Sequence, residues 1–274
     1  METIDTLIFS GAGIKGIYYV GCFKSLLKHK ILDIHKIKNI ICCSSGCIFG
    51  LCILLNYSID FIELFIKKLD FNNFVNYEDL YDILNGNGFF DNKKIKIFVN
   101  SLIYHKYKKN NVTFKELFDL TNSNLMIKVY NYTDQKDEYF NYNSDPNLLV
   151  SEAISMSCCI PVFFKAIQYN NKLYLDGGVK DYTPNIIDEK YKNNLTFTVI
   201  NGKIKTNINE NIFTFIGNLY LLSTNKEIII SKNHFLIPCI KNFSITNLQI
   251  NDIEKEEMIK HSELISDIHI LKYL

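Results

Sequence analysis

"NIICCSSGCIFGLCILLN", residues 39–56, is an uncharged run that changes character in its middle. Its first part, "NIICCS", is a short apolar run of the kind shown by a strand buried on both faces. The rest, "SGCIFGLCILLN", has the length and composition of a buried helix opening at a Ser/Gly pair. The chain upstream repeats the plan: "TLIFSG" (6–11) is an apolar run ending at a glycine, and "IKGIYYVGCFKSLLKH" (14–29) has apolar residues at helical spacing. Two consecutive strand–turn–helix units predict a mostly parallel sheet with crossover helices, an α/β fold.

Further along, "SIDFIELFIKKL", "NKKIKIFVNSLIYHKYKK" and "TFKELFDL" read as helices, and "NLMIKVYNYT" and "DEYFNY" as strands. "LLVSEAISMSCCIPVFFKAI" is expected to be helical up to Pro161 and extended from Phe163. "IQYNNKLYLDGG" reads as a hairpin turning at Asn170-Asn171 and ending at Asp176. The last part predicts a strand at "LTFTVI", a helix around "IFTFIGNLYLL", a strand at "FLIPCI" and a closing helix at "NDIEKEEMIKHSELI". No linker or repeat interrupts the 274 residues, and we expect one domain over 1–274, with the motifs in 5–200 and 201–274 completing the fold.

Thirty basic residues, all lysine, against 29 acidic ones leave no basic footprint for nucleic acid, which is not expected as a partner. The start "METIDTLIFS" carries Glu2 and Asp5 where a leader would be positive, and the apolar run at 40–55 is shorter than the ~20 residues of a spanning helix. A cytoplasmic protein, peripheral on membranes at most, is the expectation. Eight cysteines without C-x-x-C spacing read as reduced, buried small hydrophobes.

Three short motifs carry chemistry. "SGAGIKG" matches G-x-G-x-x-G through Gly11, Gly13 and Gly16, between a strand and a helix. A dinucleotide site also needs an acid closing the next strand, and Asp33 runs on into "NIICCSSG" instead. A phosphate loop of Walker type is excluded because Ile17, not Lys-Ser, follows Gly16. The other use of such a loop is an oxyanion hole, where glycines let backbone N–H groups approach a negative oxygen and Lys15 adds positive charge. In the second motif Ser44 has Gly46 two residues after it and Cys42 two before, the small neighbours that a nucleophile elbow requires, while Ser45 has cysteines on both sides. A serine that merely caps the helix fits the same residues. In the third, Asp176 ends a strand before Gly177-Gly178, as a turn aspartate or as a group free to point elsewhere.

Glycine loop, serine and Asp-Gly-Gly in this order resemble the patatin-like phospholipases. Gly11-Ala12-Gly13-Ile14-Lys15-Gly16 matches their oxyanion loop with Ala12 for a glycine, and Cys42-Cys43-Ser44-Ser45-Gly46 their G-x-S-x-G less one glycine. Ser151 to Phe164 resembles their Ala/Ser-rich helix running into a proline, and Asp176-Gly177-Gly178 their D-G-G; Tyr182 stands where they carry an asparagine. The resemblance implies a patatin-like three-layer fold with a mostly parallel central sheet flanked by helices, and calcium-independent acyl hydrolysis of phospholipids through a Ser-Asp dyad. Ser44 is then the nucleophile and Asp176 the base. Gly11, Ala12, Gly13 and Ile14 form the oxyanion loop, Lys15 meets the substrate phosphate, and no cofactor or metal is expected.

Alternatives are an acyltransferase, a lipid-binding protein with an impaired site, and a Ser-His-Asp esterase using His234, His261 or His269. "FFDNKKIKIFVNSLIYHKYKK" sets Phe89 and Phe90 beside Lys93, Lys94, Lys96, Lys106, Lys108 and Lys109, a pattern suited to transient contact with a lipid surface or to a solvated helix.

Overall fold

The computed structural model describes residues 3–74, 88–185, 191–200, 215, 217–218, 232–240 and 249–274. Strands β1 (Thr6–Phe9), β2 (Asn39–Cys43) and β4 (Asn124–Asn131) pair in parallel in that order, and β9 (Asn194–Ile200) and β10 (His234–Pro238) extend the parallel set beyond β1. Antiparallel pairing completes the sheet: β5 (Lys136–Phe140) on β4, and the hairpin β7 (Ile167–Tyr169) and β8 (Lys172–Asp176). The central sheet is therefore mixed, parallel on the side that carries the strand–turn–helix units and antiparallel at β5, β7 and β8.

The alternation of side chains explains why the strands read as continuous apolar runs. Leu7 and Phe9, Ile40 and Cys42, and Leu125, Ile127 and Val129 face the large core, whereas Ile8, Ile41 and Met126 face a small cluster with Tyr191 on the opposite side. Side chains of helices α1 (Tyr18–Lys28), α2 (Ser45–Leu54), α3 (Ile59–Lys68), α4 (Lys93–Tyr107), α5 (Phe114–Thr121), α6 (Val150–Ser157) and α7 (Asp252–Tyr273) join the large core. Rings from sheet and helices meet at Phe9, which stacks on Phe197 at 5.1 Å and packs edge-on against Phe49 at 5.3 Å.

The hairpin turns at Asn170 and Asn171, both in the left-handed region (φ 47° and 59°), as a type I′ turn requires. Capping boxes at Thr113/Glu116 and Asn251/Glu254 start α5 and α7. Two boundaries differ from the reading above. Helix α6 stops at Ser157 instead of reaching Pro161: the residue before a proline avoids the helical region, and the Cys159 carbonyl accepts the Asp176 N–H at 2.8 Å. The closing helix continues to Tyr273. The helix expected around 212–222 falls largely outside the described residues. Phe90 belongs to β3 (Gly88–Phe90), paired with β6 (Val162–Phe164); it is buried against Phe163 at 4.8 Å and takes no part in a lysine-flanked surface.

Candidate active site

β1 and β2 are neighbours in register, Phe9 opposite Cys42, so the loops leaving their C-terminal ends emerge side by side. After β2 the chain turns straight into α2 at Ser44, whose φ of 51° and ψ of −131° are strained for a residue with a side chain. That turn lifts the hydroxyl out of the helix: Ser44 is the N-cap of α2 by position but makes no side-chain cap bond. Instead its Oγ donates to Asp176 Oδ2 at 2.7 Å. Close packing explains the small residue two places on, since a Cβ on Gly46 would stand 2.5 Å from the Ser10 carbonyl oxygen. Cys42, two places before, is fully buried within β2 and its thiol donates to the Met126 carbonyl at 3.6 Å.

β4 brings the aspartate to the serine. One edge of β4 pairs first with β2, ending at Cys43 opposite Lys128, and then with β8, ending at Asp176 opposite Val129. β2 runs parallel to β4 and β8 antiparallel, so the two strands meet head to head along that edge, and Ser44 and Asp176 are the residues at the junction. Gly177 passes so close that a Cβ there would lie 2.3 Å from the Lys128 carbonyl oxygen. Asp176 is 2 % exposed; its Oδ1 accepts the Gly178 N–H at 2.7 Å, which leaves Oδ2 aimed at Ser44.

Ser157, at the last position of α6, ties the junction together. Its Oγ accepts the Ser44 N–H at 2.8 Å and donates to the Lys128 carbonyl at 2.6 Å. Lys128, 1 % exposed, reaches across to the Asp181 carbonyl and pairs with Asp137 at 3.2 Å, pinning the segment after the two glycines. Neither residue stood out in the sequence; the only trace was the small-residue cluster "SMSCC".

Within the glycine loop, Gly11 donates its N–H to the Tyr182 carbonyl at 2.7 Å, and Ala12 donates to Ser45 Oγ at 3.2 Å. The Tyr182 contact is made by backbone, so its side chain is immaterial to it. Gly13 and Ile14 open a 3₁₀ turn, Gly13–Ile17, and the first N–H groups of such a turn have no acceptor inside it. Lys15 departs from its expected position: it is 2 % exposed, sits within electrostatic reach of Cys239, and is absent from the cavity beside Ser44. Burial lowers its ammonium from 10.5 to about 8. Lys15 is thus held under the loop.

That cavity has a volume of about 160 Å³ and is almost wholly apolar. Ser44 and Ser45 stand at one part of its wall, with Ile14, Ile48, Ile95, Cys158 and a group of phenylalanines making up much of the rest. Burial pushes the thiols of Cys43, Cys47 and Cys158 well above 9.0, so these three stay neutral. The three histidines considered for a triad are engaged elsewhere through Nε2: His234 with Thr198 Oγ1 at 2.9 Å, His261 with the Pro238 carbonyl at 2.9 Å and His269 with the Lys232 carbonyl at 2.9 Å. Among the described residues no group of three or more His, Cys, Asp or Glu side chains is placed to hold a metal ion.

Comparison with known proteins bears on the family and the fold. The family model described as patatin-like phospholipase matches residues 7–186. The "Probable lipid hydrolase 463L" of Invertebrate iridescent virus 6 is 33 % identical over 192 residues, 69 % of this chain and 64 % of that protein, so the match spans under two thirds of the relative. The "Uncharacterized protein R571" of Acanthamoeba polyphaga mimivirus is 26 % identical over 93 % of this chain and 90 % of its own length. Among solved structures, VipD from Legionella pneumophila superposes with a TM-score of 0.68 at 14 % identity, covering 98 % of this chain and 67 % of VipD. ExoU from Pseudomonas aeruginosa, in complex with SpcU, gives 0.58 at 12 % identity over 99 % of this chain and 53 % of ExoU. At such identities these two bear on the fold alone.

Proposed function

The chain belongs to the patatin-like phospholipase family, and on that premise we propose that it is a lipid acyl hydrolase of the phospholipase A or lysophospholipase type. The observation that carries the reading is the 2.7 Å hydrogen bond from Ser44 Oγ to a buried carboxylate at a strained strand-to-helix turn. Ser44 Oγ attacks the ester carbonyl carbon as Asp176 Oδ2 takes its proton. The oxyanion of the tetrahedral intermediate is met by the N–H groups of Gly13 and Ile14, with Ala12 joining when the Ser45 hydroxyl turns away. Gly11 holds the loop in place through Tyr182. Collapse releases the alcohol, which takes the proton from Asp176, and leaves an acyl-enzyme; water, deprotonated by the same carboxylate, then frees the acid and restores Ser44. The apolar cavity beside Ser44 receives the start of the acyl chain, and because its wall carries no charged side chain the headgroup stays outside. Substrates of this class lie in a lipid surface, so the reading includes transient contact with one.

The test is fatty-acid release from phospholipids, lysophospholipids, triglycerides and p-nitrophenyl esters by the wild type, Ser44→Ala and Asp176→Asn. Members of a dyad act as a unit, so each substitution is expected to remove most of the rate, roughly 10⁴-fold or more. Full turnover by Ser44→Ala, or a loss confined to Ser45→Ala, refutes the assignment.

A further inference from the structure

We propose that the outer surface of α3 and α4 is a docking face for an anionic lipid bilayer, and that the acyl chain travels between these two helices from the bilayer to Ser44. The use of this route rests on the hydrolase reading above; its location rests on the following geometry.

Four large apolar side chains stand in solvent on the two helices: Phe61 (37 % exposed) and Leu64 (55 %) on α3, Ile97 (64 %) and Tyr104 (47 %) on α4. Scattered apolar residues are ordinary on a surface, but these adjoin one another. A seam of rings joins the helices, with Phe61 6.2 Å from Phe65, Phe65 5.7 Å from Phe98 and Phe61 5.8 Å from His105. Leu64 precedes Phe65, Ile97 precedes Phe98 and Tyr104 precedes His105, so the exposed residues flank this seam on both sides. The same seam is the wall of the cavity, because Phe61, Phe65 and Phe98 all line it together with Ser44. Surface and reacting atom are thus connected through three shared side chains.

Size argues for passage outward. A cavity of about 160 Å³ matches one that holds a benzene molecule, about six carbons. A long acyl chain overfills it, and the rest of the chain has to leave where Phe61 reaches solvent.

Charge selects the occupant. Helix α4 contains Lys93, Lys94, Lys96 and Lys106 and no acidic residue; Lys93 pairs with Asp91 at 3.2 Å and Lys96 with Glu152 at 2.6 Å, so the surplus of positive charge is carried by Lys106 and by Lys108 and Lys109, which follow at its exposed C-terminal end beside Tyr104. On α3, Glu63 is neutralised by Lys24 and Lys67, each at 2.8 Å, and Asp60 is the other acid of that helix. Apolar residues among lysines suit an interface of acyl chains and anionic headgroups. They do not suit a second copy of the same face, where lysines would meet lysines.

The experiment is co-sedimentation with phosphatidylcholine vesicles, with and without phosphatidylserine, using wild type and the double variant Leu64→Glu/Ile97→Glu, each also on the Ser44→Ala background. Neither substituted side chain lines the cavity. We expect binding that depends on phosphatidylserine, falls with salt, and drops at least about tenfold in the double variant, since two inserted apolar groups become anions. Fatty-acid release from vesicles should fall in parallel, while turnover of soluble p-nitrophenyl butyrate stays within about twofold of wild type, a substrate short enough to fit the cavity alone. Equal vesicle binding by the double variant, no binding by the wild type, or a self-association that the double variant abolishes, each overturns the proposal. If no ester is turned over at all, the hydrolase reading fails while the Ser44→Ala vesicle measurements still decide the docking face.

Discussion

At the scale of single residues, Ser44 is decided by where its hydrogen bond goes. A capping serine would turn its oxygen back to the first amides of α2; this one points across to Asp176 and hands the support of its own N–H to Ser157. A carboxylate in direct contact with Ser44 leaves no place for an imidazole between them. Replacing His234, His261 or His269 by Gln is therefore expected to keep ester turnover within about threefold of wild type, against the ~10⁴-fold loss that removal of a triad base produces. Steady-state kinetics of the three variants make the comparison, and a collapse in any one of them would restore the Ser-His-Asp alternative.

At the scale of elements, the Ser44–Asp176 contact depends on two strands ending at one point on the edge of β4. Gly177 is the tightest passage, so Gly177→Ala has to push β8 or β4 aside and with it Asp176. A displacement on the order of 1 Å costs about 10²-fold in rate. We expect at least that loss of turnover together with a cooperative, native-like unfolding transition. Turnover close to wild type would mean that the junction yields without moving the carboxylate. Lys255 provides the contrast. It is 3 % exposed and donates from α7 to the carbonyls of Lys67 and Leu69, both at 2.8 Å, closing the C-terminal end of α3. Lys255→Met leaves these acceptors without their donor and should lower stability by about 1–3 kcal/mol in urea titrations, with turnover of a soluble ester unchanged. None of the Lys255 hydrogen bonds reaches Ser44 or Asp176.

At the scale of the whole molecule, buried thiols make the fold sensitive to alkali. Burial raises Cys22 and Cys52 from 9.0 to about 12 and pushes Cys43, Cys47 and Cys158 well above 9.0. Above about pH 9 the unfolded chain releases these protons and the folded one keeps them, so stability is fully present below that pH and is lost as pH rises toward 12. For a thiol moved from 9.0 to about 12 the full effect is roughly 4 kcal/mol. Lys15 acts in the opposite direction: lowered from 10.5 to about 8, it contributes stability that grows between those values as the ammonium loses its proton. It is one group against these five thiols, and burial raises Cys159 and Cys239 as well. Urea midpoints measured under reducing conditions should decline steadily from about pH 9 to 11. A flat profile over that range would show that the thiols are not buried in solution as they are here.

Much of this was legible along the chain. The strand–turn–helix units, the hairpin at Asn170-Asn171, the strand-to-helix turn at Ser44 and the glycine loop all follow from side-chain period, small residues and turn chemistry, which act over a few residues and are written where they act. The Ala/Ser-rich stretch ending in "SMSCC" was visible as well, although the bridging role of Ser157 was not. Tertiary structure alone decided which groups meet. Ser44 and Asp176 are 132 residues apart and touch because β2 and β8 share an edge of β4, and no local pattern states which strand pairs with which. It also buried Lys15 under the loop and Phe90 in the core, and it built one apolar cavity from side chains scattered between Gly13 and Phe164. Period and composition specify which face of an element is apolar; only the packed chain specifies what that face is packed against.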